Sequence, residues 1–222
     1  MSADALMAEN PNTRKNFERK FRGRIKSGWF RKPRYRLLAR LFKRWAFERK
    51  IRKTYHIPVA GIASGNFLDL GCGLGSCAAV YARRSGAPSV GVDFALPALS
   101  YAQRECQRLR IQASFVAGDA YKLPFADNAF DTVYIGQVLE HLTDERKVVD
   151  EALRVLKDDG KLIISVPKGT ECSAGEADHV NFYASEEDCR QLLMDAPVTE
   201  ITFHPFHRSR YFLSSRVRKG GR

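Results

Sequence analysis

From Ile62 onward, short apolar runs alternate with stretches whose apolar residues recur at helical spacing. The runs NFLDL (66–70), SVGVD (89–93), ASFVAGD (113–119), DTVYIG (131–136) and KLIISVP (161–167) predict strands. Between them GSCAAVYARRSG, LPALSYAQRECQRLR and DERKVVDEALRVLKDDG predict helices, the last stopping at Gly160. After a loop over 168–184, SEEDCRQLLMD opens on Ser185 with acids in its first turn, as a capped helix start does. Two further runs, VTEITFH (198–204) and RYFLSSRV (210–217), lie too close in sequence for a crossover and are expected to pair antiparallel. The strand–helix alternation predicts an α/β protein with a Rossmann-like, doubly wound sheet. Such sheets bind ligands beyond the carboxyl ends of their strands.

Charge adds a second region to this picture. The net charge is +12, yet residues 11–55 alone hold 18 Lys or Arg against Glu18 and Glu48, which leaves the rest close to neutral. Pro33 can open a helix there, and Leu37, Leu38, Leu41, Phe42 and Trp45 fall on one face with Arg36, Arg40, Lys43 and Arg44 between them. The expected organisation is a basic, partly helical arm over 1–58 and a globular domain over 59–222. Three roles are open for the arm: a lid packed on the domain, a helix on an anionic membrane surface, or a nucleic-acid contact. The five cysteines are scattered without CxxC spacing and no apolar run is long enough to span a bilayer, so a cytoplasmic protein, peripheral at a membrane if the arm binds lipid, is expected.

The candidate chemistry follows the strand ends. DLGCGLGS (69–76) places Gly71, Gly73 and Gly75 after the first strand, where a chain can turn tightly and approach a ligand. The spacing departs from a dinucleotide fingerprint, and Asp69 precedes the turn, where an acid would repel a pyrophosphate but could hold an ammonium group. Asp93, about 20 residues further on, can accept both hydroxyls of a ribose. Asp119, in GDAYKLPF, can accept from an exocyclic adenine amine, and Phe94 offers a face for the base. Together these describe a ligand with an amino-acid end and a nucleoside end and no phosphate, the shape of S-adenosylmethionine.

FLDLGCGLGS, VGVDF, AGDAYKLPF, FDTVYIGQVLEHL and EALRVLKDDGKLIISVP, in that order, resemble the successive motifs of the class I S-adenosylmethionine-dependent methyltransferases, over about residues 60–217. The resemblance implies a seven-stranded sheet with an antiparallel last strand. It also implies cofactor contacts at Asp69, Gly71, Gly73, Asp93, Asp119 and Ala120, with Gln137 beside the methionine moiety. Gln137, Glu140 and His141 then stand at the methyl-transfer wall. His141 and His179 are the candidate catalytic residues, with His204 and His207 as further candidates, while a structural Glu140–His141 pair is the plainer alternative. In some relatives an acid-x-x-Glu-His pattern with a later histidine binds a metal; Gln137 stands where the first carboxylate would be, so no metal is expected here. The implied function is O-methylation of a small or lipid-like acceptor. RNA methylation using the basic arm and a non-catalytic cofactor-binding module are the alternatives.

Overall fold

A computed structural model describes residues 56–169, 179–206 and 210–219. The stretch 11–55 with its expected helix, Cys172 and His207 lie outside these residues. Helix α1 (His56–Ile62) leads into β1 (Phe67–Leu70), followed by α2 (Ser76–Ser85), β2 (Ser89–Asp93), α3 (Leu96–Leu109), β3 (Ala113–Ala117) and β4 (Phe130–Gly136). A 3-10 turn (Leu139–His141) precedes α4 (Glu145–Val155), β5 (Leu156–Pro167), α5 (Glu186–Gln191), β6 (Val198–Phe203) and β7 (Arg210–Val217). The strands form one seven-stranded sheet in the order β3-β2-β1-β4-β5-β7-β6. β7 is antiparallel to both of its neighbours, and the others run parallel, as the short β6–β7 link requires.

Alternation along the strands builds the two covers of the sheet, because successive side chains point to opposite faces. Leu68, Leu70, Val133, Ile135, Leu162 and Ile164 pack with Val148, Val149 and Ala152 of α4 in one buried cluster. Phe67, Tyr134, Ile163 and Phe212 face the other way and pack with Val59, Cys77 and Tyr81. Phe67 stacks on Tyr81 at 4.4 Å, and the Tyr81 hydroxyl donates to the Gly65 carbonyl at 2.6 Å. Helix α1 crosses the expected boundary at 58/59, and its Val59 is fully buried.

The predicted helix stop at Gly160 is not what the chain does. Helix α4 ends at Val155, and Leu156 turns to an extended conformation, fully buried and paired with Phe130 as the first residue of β5. Tertiary partners take over the helix end: Asn128 N–H donates to the Arg154 carbonyl, and Lys157 Nζ binds both carboxylate oxygens of Asp131 at 2.9 and 3.0 Å. The left-handed residue in this stretch is Asp159. The start of α5 follows the expectation, since the Ser185 hydroxyl accepts from Asp188 N–H and the Asp188 carboxylate accepts from Ser185 N–H.

In the loop between α1 and β1, one buried side chain holds both backbone groups of Ser64. Thr132 Oγ1 accepts from Ser64 N–H at 3.0 Å and donates to the Ser64 carbonyl at 2.9 Å. Thr132→Val keeps the shape and removes both partners of Ser64, so urea denaturation should show a loss of about 1–3 kcal/mol. A variant as stable as the parent would mean that Ser64 is satisfied by water instead.

Candidate functional site

Register brings the strand ends into one row. Leu70 pairs with Val92 and Ile135, Asp93 with Ala117, and Gly136 with Ser165, so Gly71, Asp93, Gly118 and Gln137 emerge along the same edge. The glycine turn is compressed against its surroundings. Gly71 and Gly75 have φ of +70° and +71°, and a Cβ on them would lie 2.3 Å from Val138 Cγ2 and 2.3 Å from Phe115 Cε1 respectively. These positions need glycine both for conformation and for space. Gly71 and Cys72 N–H both donate to the Val92 carbonyl, which ties the turn to β2.

Two carboxylates organise the turn. Asp93, 6% exposed, accepts from Gly73 N–H through Oδ2 and from Ala95 N–H through Oδ1, both at 2.8 Å. Burial raises its pKa, and the amides of Ala95, Gly73 and Phe94 pull the other way. Asp69, 4% exposed, accepts from Ala78 N–H at 3.0 Å. The N-cap position of α2 is Gly75, which has no side chain to cap the helix, so Asp69 serves as its cap from the preceding strand. Burial pushes Asp69 up to about 7, opposed by the Ala78 N–H and reinforced by Asp93. The thiol of Cys72 is buried and raised well above its usual pKa by that burial and by Asp69, which suits a packing residue.

Beyond β3, Asp119 Oδ1 accepts from Tyr121 N–H at 2.9 Å, its carbonyl accepts from Lys122 N–H, and Ala120 packs against the core between them. Phe94 is half-buried beside Asp93. At the end of β4, Gln137 has φ of +59°, unusual for a residue with a side chain. Its N–H and its Nε2 both donate to the Ser165 carbonyl, at 2.8 and 3.1 Å, so the strain is held by a fixed tie to β5.

The strap 179–184 brings the histidines together. Val180 and Asn181 N–H donate to the Glu140 carbonyl, and Asn181 Nδ2 donates to the Leu139 and Leu142 carbonyls at 2.8 and 2.7 Å. His179 thereby meets His141 edge to face, with ring centroids 4.8 Å apart. Ligand atoms of buried Glu140 and half-buried His141 and His179 lie within 4.8 Å of one another. His204 is not brought to this cluster; its ring stacks on Phe206 and its Nε2 hydrogen-bonds to Ser214 Oγ at 2.8 Å.

Comparison with known proteins agrees with this geometry. The methyltransferase domain family matches residues 68–164. A demethylmenaquinone methyltransferase of Thermus thermophilus is 37% identical over 133 residues, 60% of this chain and 60% of that protein. A norajmaline N-methyltransferase of Rauvolfia serpentina is 33% identical over 101 residues, 45% of this chain and 35% of that protein. Among solved structures, a SAM-dependent methyltransferase from Aquifex aeolicus superposes with TM-score 0.61 at 18% identity, covering 76% of this chain and 92% of that one. Residues 68–164 are a methyltransferase domain, in a chain that folds as the S-adenosylmethionine-dependent methyltransferases do. The chain spans at most about three fifths of the length of the curated relatives it matches. The [4+2]-cyclase SpnF shares the fold at TM-score 0.62 and 18% identity, covering 74% of this chain and 81% of that one, so the fold alone does not fix a reaction.

The cofactor of the methyltransferase domain, S-adenosylmethionine, suits the donors and acceptors present. A carboxylate offers about four lone-pair sites, so Asp93 can keep its two amide bonds and still accept from ribose hydroxyls. Sequence reasoning missed Asp69 as a helix cap and missed Ser165 and Asn181 altogether. Gly75 at the head of α2 was a signal for the first. The other two act across 28 and 42 residues, for which no local pattern exists.

Asp69 gives the domain a pH signature. An unfolded aspartate ionises near 4, so between about pH 4 and 7 the folded chain binds the extra proton. This contribution to stability is full below that window and lost as the pH rises through about 7. Without ligand, the parent should lose roughly 2.5 kcal/mol from this group between about pH 5 and 7.5, at about 1.4 kcal/mol per pH unit up to about pH 7. Asp69→Asn should flatten the profile in urea titrations, and equal slopes for parent and variant would contradict the assignment.

Proposed function

We propose that this protein is a methyltransferase acting on a small, lipid-like, quinol-type acceptor. The observation that carries the reading is the junction of the glycine turn with Asp93, 2.8 Å from Gly73 N, on the same sheet edge as Gln137 and the 139–141 turn. Several curated relatives are demethylmenaquinone methyltransferases, which supports the acceptor class. In this reading Asp93 receives the ribose hydroxyls, while Asp119, Ala120 and Phe94 hold the adenine. Gly71 and Gly73 face the amino-acid end, and Asp69 acts on that end through the turn it caps. Gln137 lies beside the methionine moiety.

S-adenosylmethionine, when bound, supplies an electrophilic methyl group on a sulfonium. The residues' task is to align an acceptor in line with it and to take the acceptor's proton. Removing a quinol hydroxyl proton makes the oxygen, or a ring carbon beside it, nucleophilic, so one base serves either product. We assign that proton to His141, oriented by the edge of His179. The same strap exposes Val180 and Phe182, which supports an apolar acceptor at this edge. No metal is needed for this step.

With labelled methyl donor, transfer to a demethylmenaquinol should exceed transfer to RNA, survive EDTA, and fall at least about tenfold in His141→Ala with cofactor binding retained. Transfer to RNA alone, or activity silenced by EDTA and restored by Mn²⁺, would overturn the reading. In the second case the ion would belong to Glu140, His141 and His179.

We further propose that the arm of residues 1–58 holds the 59–222 domain at an anionic membrane surface, where a lipid-like acceptor is concentrated. The 18 cations between residues 11 and 55 support this, each being worth about 1 kcal/mol near anionic lipid. Deleting residues 1–55 should abolish binding to phosphatidylglycerol vesicles and leave S-adenosylmethionine affinity within about threefold. Loss of cofactor binding on deletion would make the arm a lid instead. Tighter binding of the intact protein to RNA than to vesicles, with a steep salt dependence, would make it a nucleic-acid arm.

A further inference from the structure

Helix α4 sends two charged side chains into the backbone of the segment after Asp119. Glu151 Oε2 accepts from Leu123 N–H at 2.8 Å, and Arg154 Nη2 donates to the Leu123 carbonyl at 3.1 Å, so both backbone polar groups of one residue are held. Arg154 Nη1 continues to the Phe125 carbonyl at 2.9 Å and to Asp127 Oδ1 at 2.7 Å. The pair is itself fixed, with Arg154 Nε and Nη2 donating to Glu151 Oε1 and Oε2 at 2.8 and 2.9 Å. The Leu123 side chain is buried, and Pro124 lies against Gly118, where an added Cβ would meet its Cδ at 3.0 Å.

The tight turn of residues 119–122 hangs between these fixed points. On one side Gly118 N–H donates to the Asp93 carbonyl at 3.1 Å; on the other stands the clamp on Leu123. Asp119 and Ala120 lie inside the turn, so their position is set by two anchors, one on β2 and one on α4. We infer that Glu151 and Arg154 are positioning residues for the nucleoside end of the cofactor site, acting through the Leu123 backbone on Asp119 and Ala120. This inference rests on the assignment of Asp119 and Ala120 to the adenine. Only a guanidinium can make these bonds together, since a lysine ammonium is a single point without the planar fork.

Calorimetric binding of S-adenosylhomocysteine and of adenosine to the full chain tests it. Arg154→Lys should weaken both ligands by the same factor, about tenfold, because the damage lies at the shared nucleoside end. In turnover the loss should fall on KM for S-adenosylmethionine and not on kcat. Glu151→Gln, which keeps a carbonyl oxygen for Leu123 N–H, should lose less than Glu151→Ala. A pair that merely staples the fold would lower the melting temperature of Arg154→Lys and leave adenosine affinity at the parent value, and that result overturns the inference. Asp119→Ala separates the two claims: if it binds adenosine like the parent, the adenine assignment fails, whereas weakening there with an unaffected Arg154→Lys removes the clamp alone.

Discussion

The Asp93 carboxylate joins what would otherwise be two independent loops. One oxygen holds Gly73 in the turn after β1 and the other holds Ala95 at the head of α3. The group is almost fully buried, so ionising it costs desolvation that only such directed amides can offset. Its value to the site follows from the same fact, because a carboxylate fixed by two backbone donors presents its remaining lone pairs in one direction. Asp69 repeats the device one strand away, fixing the start of α2 through Ala78 and thereby the far side of the glycine turn. The glycine turn is thus built from backbone amides drawn onto two buried acids, with glycines where Val138 and Phe115 leave no room for a Cβ.

Around that turn the positions that depart from ordinary backbone geometry are pinned from a neighbouring element. Gln137 keeps a left-handed conformation because Ser165 of β5 takes both its backbone and its amide N–H groups. Among the described residues the 179–184 strap pairs with no strand, and it is held to the 139–142 turn by Asn181 and the Glu140 carbonyl. Such ties place polar groups at the strand ends without a continuous ladder, and they fix the chain that borders the 139–142 turn.

Much of this fold was legible because its strands are apolar and its helices periodic. SVGVD and RYFLSSRV predict β2 and β7 to the residue, and the short link before RYFLSSRV gives its antiparallel sense. Reading failed where long-range partners override a local pattern. LKDDG looks like a helix end, but Leu156 is drawn into the sheet by Phe130 and the Lys157–Asp131 pair. Helix α1 carries no acidic residue in its first turn and no basic residue in its last, so HIPVAGI gave no signal. At the site, the glycines and the strand-end acids were visible as a pattern, and His141 and His179 as separate candidates, whereas their edge-to-face contact came only with the strap. The job of Asp69 left only an indirect trace, the side-chain-less Gly75 at the head of α2, since capping by a residue nine positions earlier depends on how the turn folds back.

The central claim is that one ligand end lies on the Asp93–Gly73 junction and the other reaches the 119–122 turn and the Gln137 edge. An amide-resolved NMR titration of the full chain with S-adenosylhomocysteine addresses it directly. The account predicts shifts concentrated at Gly71, Cys72, Gly73, Phe94, Ala95, Ala120, Tyr121 and Gln137, with β6 and β7 little changed. Saturable shifts centred on His204, Phe206 and Ser214, with the glycine turn unmoved, would contradict it.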